Sequence, residues 1–363
     1  MIRIIFLSFL VLMVALSCFA QKSKLTPGFD ELEFTELLKI STRQGDTLYN
    51  KDLPAPEKFH KVHRSKMIGL DNRWELWFSD DSIAAISIRG TTPNLASWTE
   101  NLFAAMVPAT GSLTFSQEDV FYYHLSDQDQ AAVHTGWLIG TVSIYRDLIP
   151  KLDSCLANGI TDFYLIGHSQ GGAIATLLTS LLLHLKKDNP QYAPLTIKTY
   201  ASAAPKTGNL YFAYEYEALT QEGWAFNVVN SADWVPEGPY AIQTIDDFNT
   251  INPFKSARKG FKKVPFPKNI AMKYAFNQLD KPTQKATKKF NKYLGVRMSD
   301  QIRNYLPNFQ TPRFSNTNNY VRTGHTIVLL ADEAYYKLFP NDEGTIWQHH
   351  KFEPYFYLLE QLK

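Results

Sequence analysis

Cysteine is nearly absent: the 363 residues contain only Cys18 and Cys155. Cys18 falls in a leader-like start, so its removal would leave Cys155 alone and exclude an internal disulfide. Cys155 lies in an apolar helical run and reads as a buried structural thiol. Internal repeats and low-complexity segments are also missing, which excludes solenoid and array architectures. No nucleic-acid-binding motif is recognisable, so nucleic acid is not expected as a partner. The apolar run Ile4 to Leu16 is too short for a comfortable membrane span.

Excess charge of one sign is lacking overall, with a formal net charge of +2, but the balance hides a segregation. Residues 251–303 hold fourteen Lys or Arg against only Asp280 and Asp300, leaving the remainder acidic. Pro253, Pro265 and Pro267 break the first part of this stretch. From Asn269 to Arg303 helix-like patches carry Lys281, Lys285, Lys288, Lys289 and Lys292. It reads as a basic, partly helical insertion, either a solvated face or a contact for anionic surfaces.

At the amino end, Met1-Ile2-Arg3, the apolar run and Ser17-Cys18-Phe19-Ala20 have the three regions of a secretory signal. A signal peptide over 1–20 and a single domain over 21–363 are therefore expected, with export from a bacterial-type cell to the medium or periplasm. The competing reading is a lipoprotein anchored through Cys18.

What is present in strength is a strand–turn–helix signal. Phe163 to Ile166 is an apolar run, Gly167-His168-Ser169-Gln170-Gly171-Gly172 follows, and Ala173 to Leu185 extends as a helix. A serine in a sharp turn between two glycines without a Cβ is pushed out into a cleft. Around it, Phe29 to Ile40 and Val133 to Leu156 show helical spacing. Trp74 to Phe78, Ile83 to Ile88, Leu195 to Tyr200, Ala225 to Asn230 and Asn319 to Leu330 read as strands. Alternating strands and helices imply an α/β fold with a mainly parallel sheet, whose functional loops follow the carboxyl ends of the strands. Thr91, Ser169 and Asp233 all fall at such ends. Asn94 to Pro108, with Trp98, Leu102, Phe103 and Met106, reads as a surface helix or as a lid over an apolar site.

A serine hydroxyl needs a histidine to accept its proton, and the histidine needs a carboxylate. Asp233 follows a core strand directly and Pro236 and Pro239 stiffen its loop, so it is the expected acid. Three histidines follow it, His325, His349 and His350. His350 is favoured because Phe352, Tyr355, Leu358 and Leu359 can anchor the segment behind it. His168 reads as a packing residue. The oxyanion needs preset backbone donors, expected from Gln170 and Thr91.

Arg89-Gly90-Thr91, Trp98 with Asn101-Leu102, Val133-His134-Thr135-Gly136-Trp137, the Gly167–Gly172 turn, Ala204–Asn209 and Val228–Pro236 together resemble the class 3 lipases, the fungal-type α/β-hydrolase family, over roughly residues 73–240. The resemblance implies an α/β-hydrolase fold and hydrolysis of carboxylic esters in lipids, with no metal or organic cofactor. It also implies Ser169 as nucleophile, Asp233 as acid, Thr91 as oxyanion residue and 94–108 as a lid. The histidine-bearing carboxyl segment, about 319–363, lies beyond it. The expected substrate is a lipid or ester, at a membrane or lipid-droplet surface, with no protein partner predicted. Alternatives are a phospholipase or lysophospholipase acting on anionic surfaces, and a silent hydrolase fold that only binds.

Overall fold

A computed structural model describes residues 23–45 and 52–362. The expected signal peptide and Cys18 lie outside the described residues.

The chain opens with α1 (Glu31–Ser41) and runs through β1 (Phe59–Arg64), β2 (Trp74–Ser79) and β3 (Ala84–Ile88) to α2 (Leu95–Leu102). Then come β4 (Met106–Pro108), β5 (Thr110–Thr114), β6 (Val120–His124), β7 (Ala132–His134) and the long α3 (Thr135–Ala157). The central unit follows as β8 (Asp162–His168), α4 (Gln170–Asp188), β9 (Thr196–Ser202), β10 (Gly208–Asn209), α5 (Leu210–Leu219) and β11 (Ala225–Asn230). The basic stretch forms α6 (Pro253–Phe261), α7 (Lys268–Asn291) and α8 (Arg297–Ile302). The chain closes with β12 (Tyr320–Val321), β13 (His325–Leu329), α9 (Glu333–Leu338) and α10 (Phe352–Leu359).

Seven strands form the main sheet in the order β1-β2-β3-β8-β9-β11-β13. β1 to β3 pair antiparallel and β3 onward is parallel, the α/β-hydrolase arrangement. Both faces are covered, which is why Phe163 to Ile166 is continuously apolar. Leu165 points with Ile86 and Ile197 into a core shared with Leu138, Val142, Ile174 and Leu178 of α3 and α4. Tyr164 and Ile166 point the other way, toward Phe34 and Leu37 of α1 and toward Tyr355 and Leu358 of α10.

Three expectations are corrected. The strand read over 319–330 is two strands: Gly324 at φ 90° turns the chain, so β12 pairs with β10 while β13 pairs with β11. The lid read over 94–108 is restricted to α2, because Phe103 to Val107 are buried and β4 pairs with β7. Even α2 is clamped to α3: buried Glu100 accepts hydrogen bonds from Asn72 Nδ2, and a Cβ on Gly136 would lie 1.9 Å from the Glu100 carbonyl oxygen. The basic insertion is not wholly solvated. Its five lysines at 281–292 are exposed, yet Phe290 and Ile302 are buried and the Leu294 carbonyl accepts from Ala105 N at 2.9 Å.

Candidate active site

The turn after β8 holds Ser169 at φ 62°, ψ −131°. An ideal Cβ on Gly167 would sit 2.2 Å from Gly171 backbone atoms, and one on Gly171 2.3 Å from the Ile88 carbonyl oxygen. Only glycine fits at either place, so strand, turn and helix close tightly around the serine. α4 starts at Gln170, immediately after the serine, so the Gln170 N–H belongs to a helix N-terminus with its unpaired donors.

Asp233 lies just beyond β11 and is buried. Its Oδ1 accepts from Val235 N at 3.0 Å, while Oδ2 accepts from Tyr355 Oη at 2.9 Å and faces His350 Nδ1 at 2.7 Å. The structure thus brings His350 to Asp233, and neither alternative histidine. His325 opens β13 beside the start of β11, at the end of the sheet away from Asp233, exposed and edge-on to Phe226. His349 is occupied elsewhere, with Nδ1 against Tyr335 Oη at 2.7 Å and Nε2 against Asn341 Oδ1 at 2.9 Å. A carboxylate can only accept, so Asp233 selects the His350 tautomer protonated on Nδ1 and leaves the Nε2 lone pair free as a base.

His168 does more than pack. Its Nε2 donates to the His350 carbonyl at 2.8 Å and its Nδ1 accepts from Ser202 Oγ at 3.0 Å, an arrangement that uses the neutral ring. Burial foremost, and the adjacent His350, push its pKa down to about 3, although the bond to the His350 carbonyl acts in the other direction. Asn230 adds a second tie through Nδ2, donating to the His349 carbonyl at 3.1 Å. The backbone carrying His350 is therefore fixed by residues next to the serine and the aspartate.

Thr91 is oriented from behind. Trp137 Nε1, which can only donate, bonds Asn101 Oδ1 at 2.8 Å, so the Asn101 amide presents Nδ2 to Thr91 Oγ1 at 2.9 Å. Thr91 accepts that bond and keeps its own hydroxyl proton to give. The Gln170 side chain is held by Ser97 Oγ at 3.0 Å. Thr91, Ser169, Gln170 and His350 all border one mainly apolar cavity of about 1270 Å³. Phe290 and Leu294 of the basic insertion also border it. At its rim Trp347 packs against Trp98 (5.8 Å), Trp234 (4.9 Å) and His350 (5.8 Å between ring centroids).

Sequence reasoning missed Tyr355 as a donor, Asn101 and Asn230 as orienting amides and His168 as a bracket. It named Tyr355 only as an apolar anchor. A tyrosine four residues before Leu359, and so on the same helix face as that apolar anchor, was the available signal.

Residues 85–242 match the family described as Lipase (class 3). A lipase of Caenorhabditis elegans is 33% identical over 84 residues, which is 23% of this chain and 22% of that relative, so the match spans a small part of its length. Among solved structures, a fungal lipase–inhibitor complex is 18% identical with a TM-score of 0.45, over 58% of this chain and 74% of the other. The triacylglyceride lipase of Rhizomucor miehei is 18% identical with a TM-score of 0.43, over 60% and 77%.

Proposed function

We propose that the protein, whose residues 85–242 match the class 3 lipase family, is an exported serine carboxylic-ester hydrolase acting on acyl lipids. One observation carries the reading: His350, 2.7 Å from buried Asp233, opens together with Ser169 onto one large apolar cavity. Ser169 Oγ attacks the ester carbonyl while His350 Nε2 takes its proton, and Asp233 stabilises the imidazolium so formed. The carbonyl oxygen becomes an oxyanion that accepts from Gln170 N–H, Thr91 N–H and the Thr91 hydroxyl. Collapse gives an acyl-serine as His350 returns the proton to the leaving alcohol. Water, activated by the same histidine, then releases the acid. The apolar wall holds the acyl chain.

Export rests on the leader-like residues 1–20 alone. Among the described residues, no helix is long and apolar enough to cross a membrane.

The test is labelling with a fluorophosphonate probe followed by hydrolysis of short esters, triglycerides and phospholipids by one preparation. Labelling of wild type but not of Ser169→Ala, with turnover of at least one ester class, is expected. Equal labelling of the two proteins, or none, would refute the enzyme and leave a binding protein. The phospholipase reading is favoured by one feature: Phe266, Ile270 and Leu279 are exposed on or beside the same helix as the five exposed lysines, as suits an anionic lipid surface. A preference for anionic phospholipid over triglyceride, lost when those lysines become glutamine, is its signature.

A further inference from the structure

Away from the ester site, β6, the far end of α4 and α5 bring together a cluster of imidazoles and carboxylates. His124 ends β6, Asp127 follows three residues later, His184 lies near the carboxyl end of α4 and Glu215 is on α5. The two imidazole rings are tilted with centroids 4.3 Å apart. One ligand atom from each of His124, Asp127 and His184 falls within 4.8 Å of the others.

The hydrogen bonds fix which nitrogens face inward. His184 Nδ1 lies 2.9 Å from the Ser180 carbonyl, which can only accept, so Nδ1 carries a proton and Nε2 is turned toward Glu215 Oε1 at 3.3 Å. His124 Nδ1 lies 3.3 Å from Asp188 Oδ2, while its Nε2 faces Asp127 Oδ1 at 2.7 Å. Each ring therefore meets acceptors at both nitrogens. The two rings thus converge on one point from different elements, with His184 buried. A divalent ion at that point would take the two Nε2 lone pairs and the Asp127 oxygen together.

The surroundings match a ligand shell. Metal-bound imidazoles commonly donate their other N–H to a carboxylate or backbone carbonyl, which here are Asp188 and Ser180. Asp127 Oδ2 is taken by Lys187 Nζ at 2.6 Å, leaving Oδ1 for the site. Glu215 is held by Ser126 Oγ, Asp127 N and Gln128 N, so its Oε1 is set beside His184.

We propose that His124, Asp127 and His184 bind a divalent transition-metal ion, with Zn2+ the best fit to two imidazoles and a carboxylate. The role is structural. Among the described residues β5 and β6 pair only with each other, and a two-stranded ribbon is marginal by itself. The ion ties this hairpin to the far end of α4, the helix that follows Ser169.

The test uses untagged full-length protein, stripped with chelator, reloaded with ZnCl2 and assayed by elemental analysis, calorimetry and thermal unfolding. Wild type should retain one ion per chain and melt several degrees higher with Zn2+ than in chelator. His124→Gln, at a half-exposed position, should match stripped wild type in melting temperature, lose stoichiometric binding and show no Zn2+-dependent shift. Ser169→Ala should bind as wild type does, which separates this site from the ester chemistry. Co2+ should give a d–d spectrum in wild type only. Failure of wild type to retain the ion, or binding unchanged in His124→Gln, would overturn the proposal.

Discussion

Replacing His168 by glutamine should change how stability depends on pH, in a direction the structure fixes. His168 is held neutral in the fold with a pKa of about 3, pushed down by burial first and by the neighbouring His350 second. In the unfolded chain it titrates near 6.5. Below that value the unfolded state binds a proton that the folded state refuses, so stability is full above about pH 6.5 and is lost progressively as pH falls toward about 3. At about pH 5 the loss is about 1.5 pH units at 1.36 kcal/mol each, or about 2 kcal/mol. Glutamine cannot titrate, yet its amide can still donate to the His350 carbonyl and accept from Ser202 Oγ. The stability difference between wild type and His168→Gln should therefore move by about 2 kcal/mol in favour of the variant between about pH 7.5 and about pH 5. His134, also buried neutral with a pKa of about 3, titrates alike in both proteins and cancels. So does Glu100, which burial raises well above the carboxylate range and which acts with the opposite sign. Urea unfolding across the pH range measures the difference directly. A difference that stays constant within about 0.5 kcal/mol would refute the neutral, buried bracket.

Tyr355→Phe removes a donor from Asp233 Oδ2 and leaves Asn230 N, which donates to Tyr355 Oη at 3.1 Å, buried without a partner. The expected cost is about 2–4 kcal/mol of stability by urea unfolding, together with a fall in kcat; wild-type values for both would show that the hydroxyl is idle. Asn101→Ala frees the Thr91 hydroxyl to turn away from the oxyanion. Ester kinetics should show kcat lowered by about 10-fold or more with KM little changed, whereas a change confined to KM would assign Thr91 to substrate binding instead.

The parts of this fold legible in the sequence are those whose local chemistry and burial agree. β11 runs from Ala225 to Asn230 as expected, its buried Ala225, Phe226, Val228 and Val229 suiting a parallel strand covered on both faces. The turn at Ser169 was legible because the required contacts exclude any Cβ at 167 and 171. β1 was not legible: Phe59 to Arg64 is an edge strand with mostly exposed side chains, and its pairing depends on β2 rather than on its own pattern. The hairpin of β5 and β6 escaped for the same reason, with three of five positions exposed in β5. The bond from Tyr355 to Asp233 was invisible because it joins residues more than a hundred positions apart. No spacing rule links Tyr355 or His350 to Asp233.

That separation poses a physical question: how does a histidine reach its carboxylate across an insertion of this size? Loop-closure entropy rises only slowly with length, so the added chain costs little if both ends are fixed independently of it. They are. Asp233 is positioned by β11 and Val235 N, on the near side of the insertion. On the far side, the His350 backbone is tied by His168 and the preceding carbonyl by Asn230, both of which precede the insertion in sequence. α10 then seals the arrangement, with Tyr355, Leu358 and Leu359 in the core against α1. None of these ties uses a residue between 240 and 320. The insertion is thus free to vary its exposed lysines while Phe290 and Leu294 shape the cavity wall. The geometry of the Asp233–His350 pair is separated from the feature best placed to tune what the cavity admits.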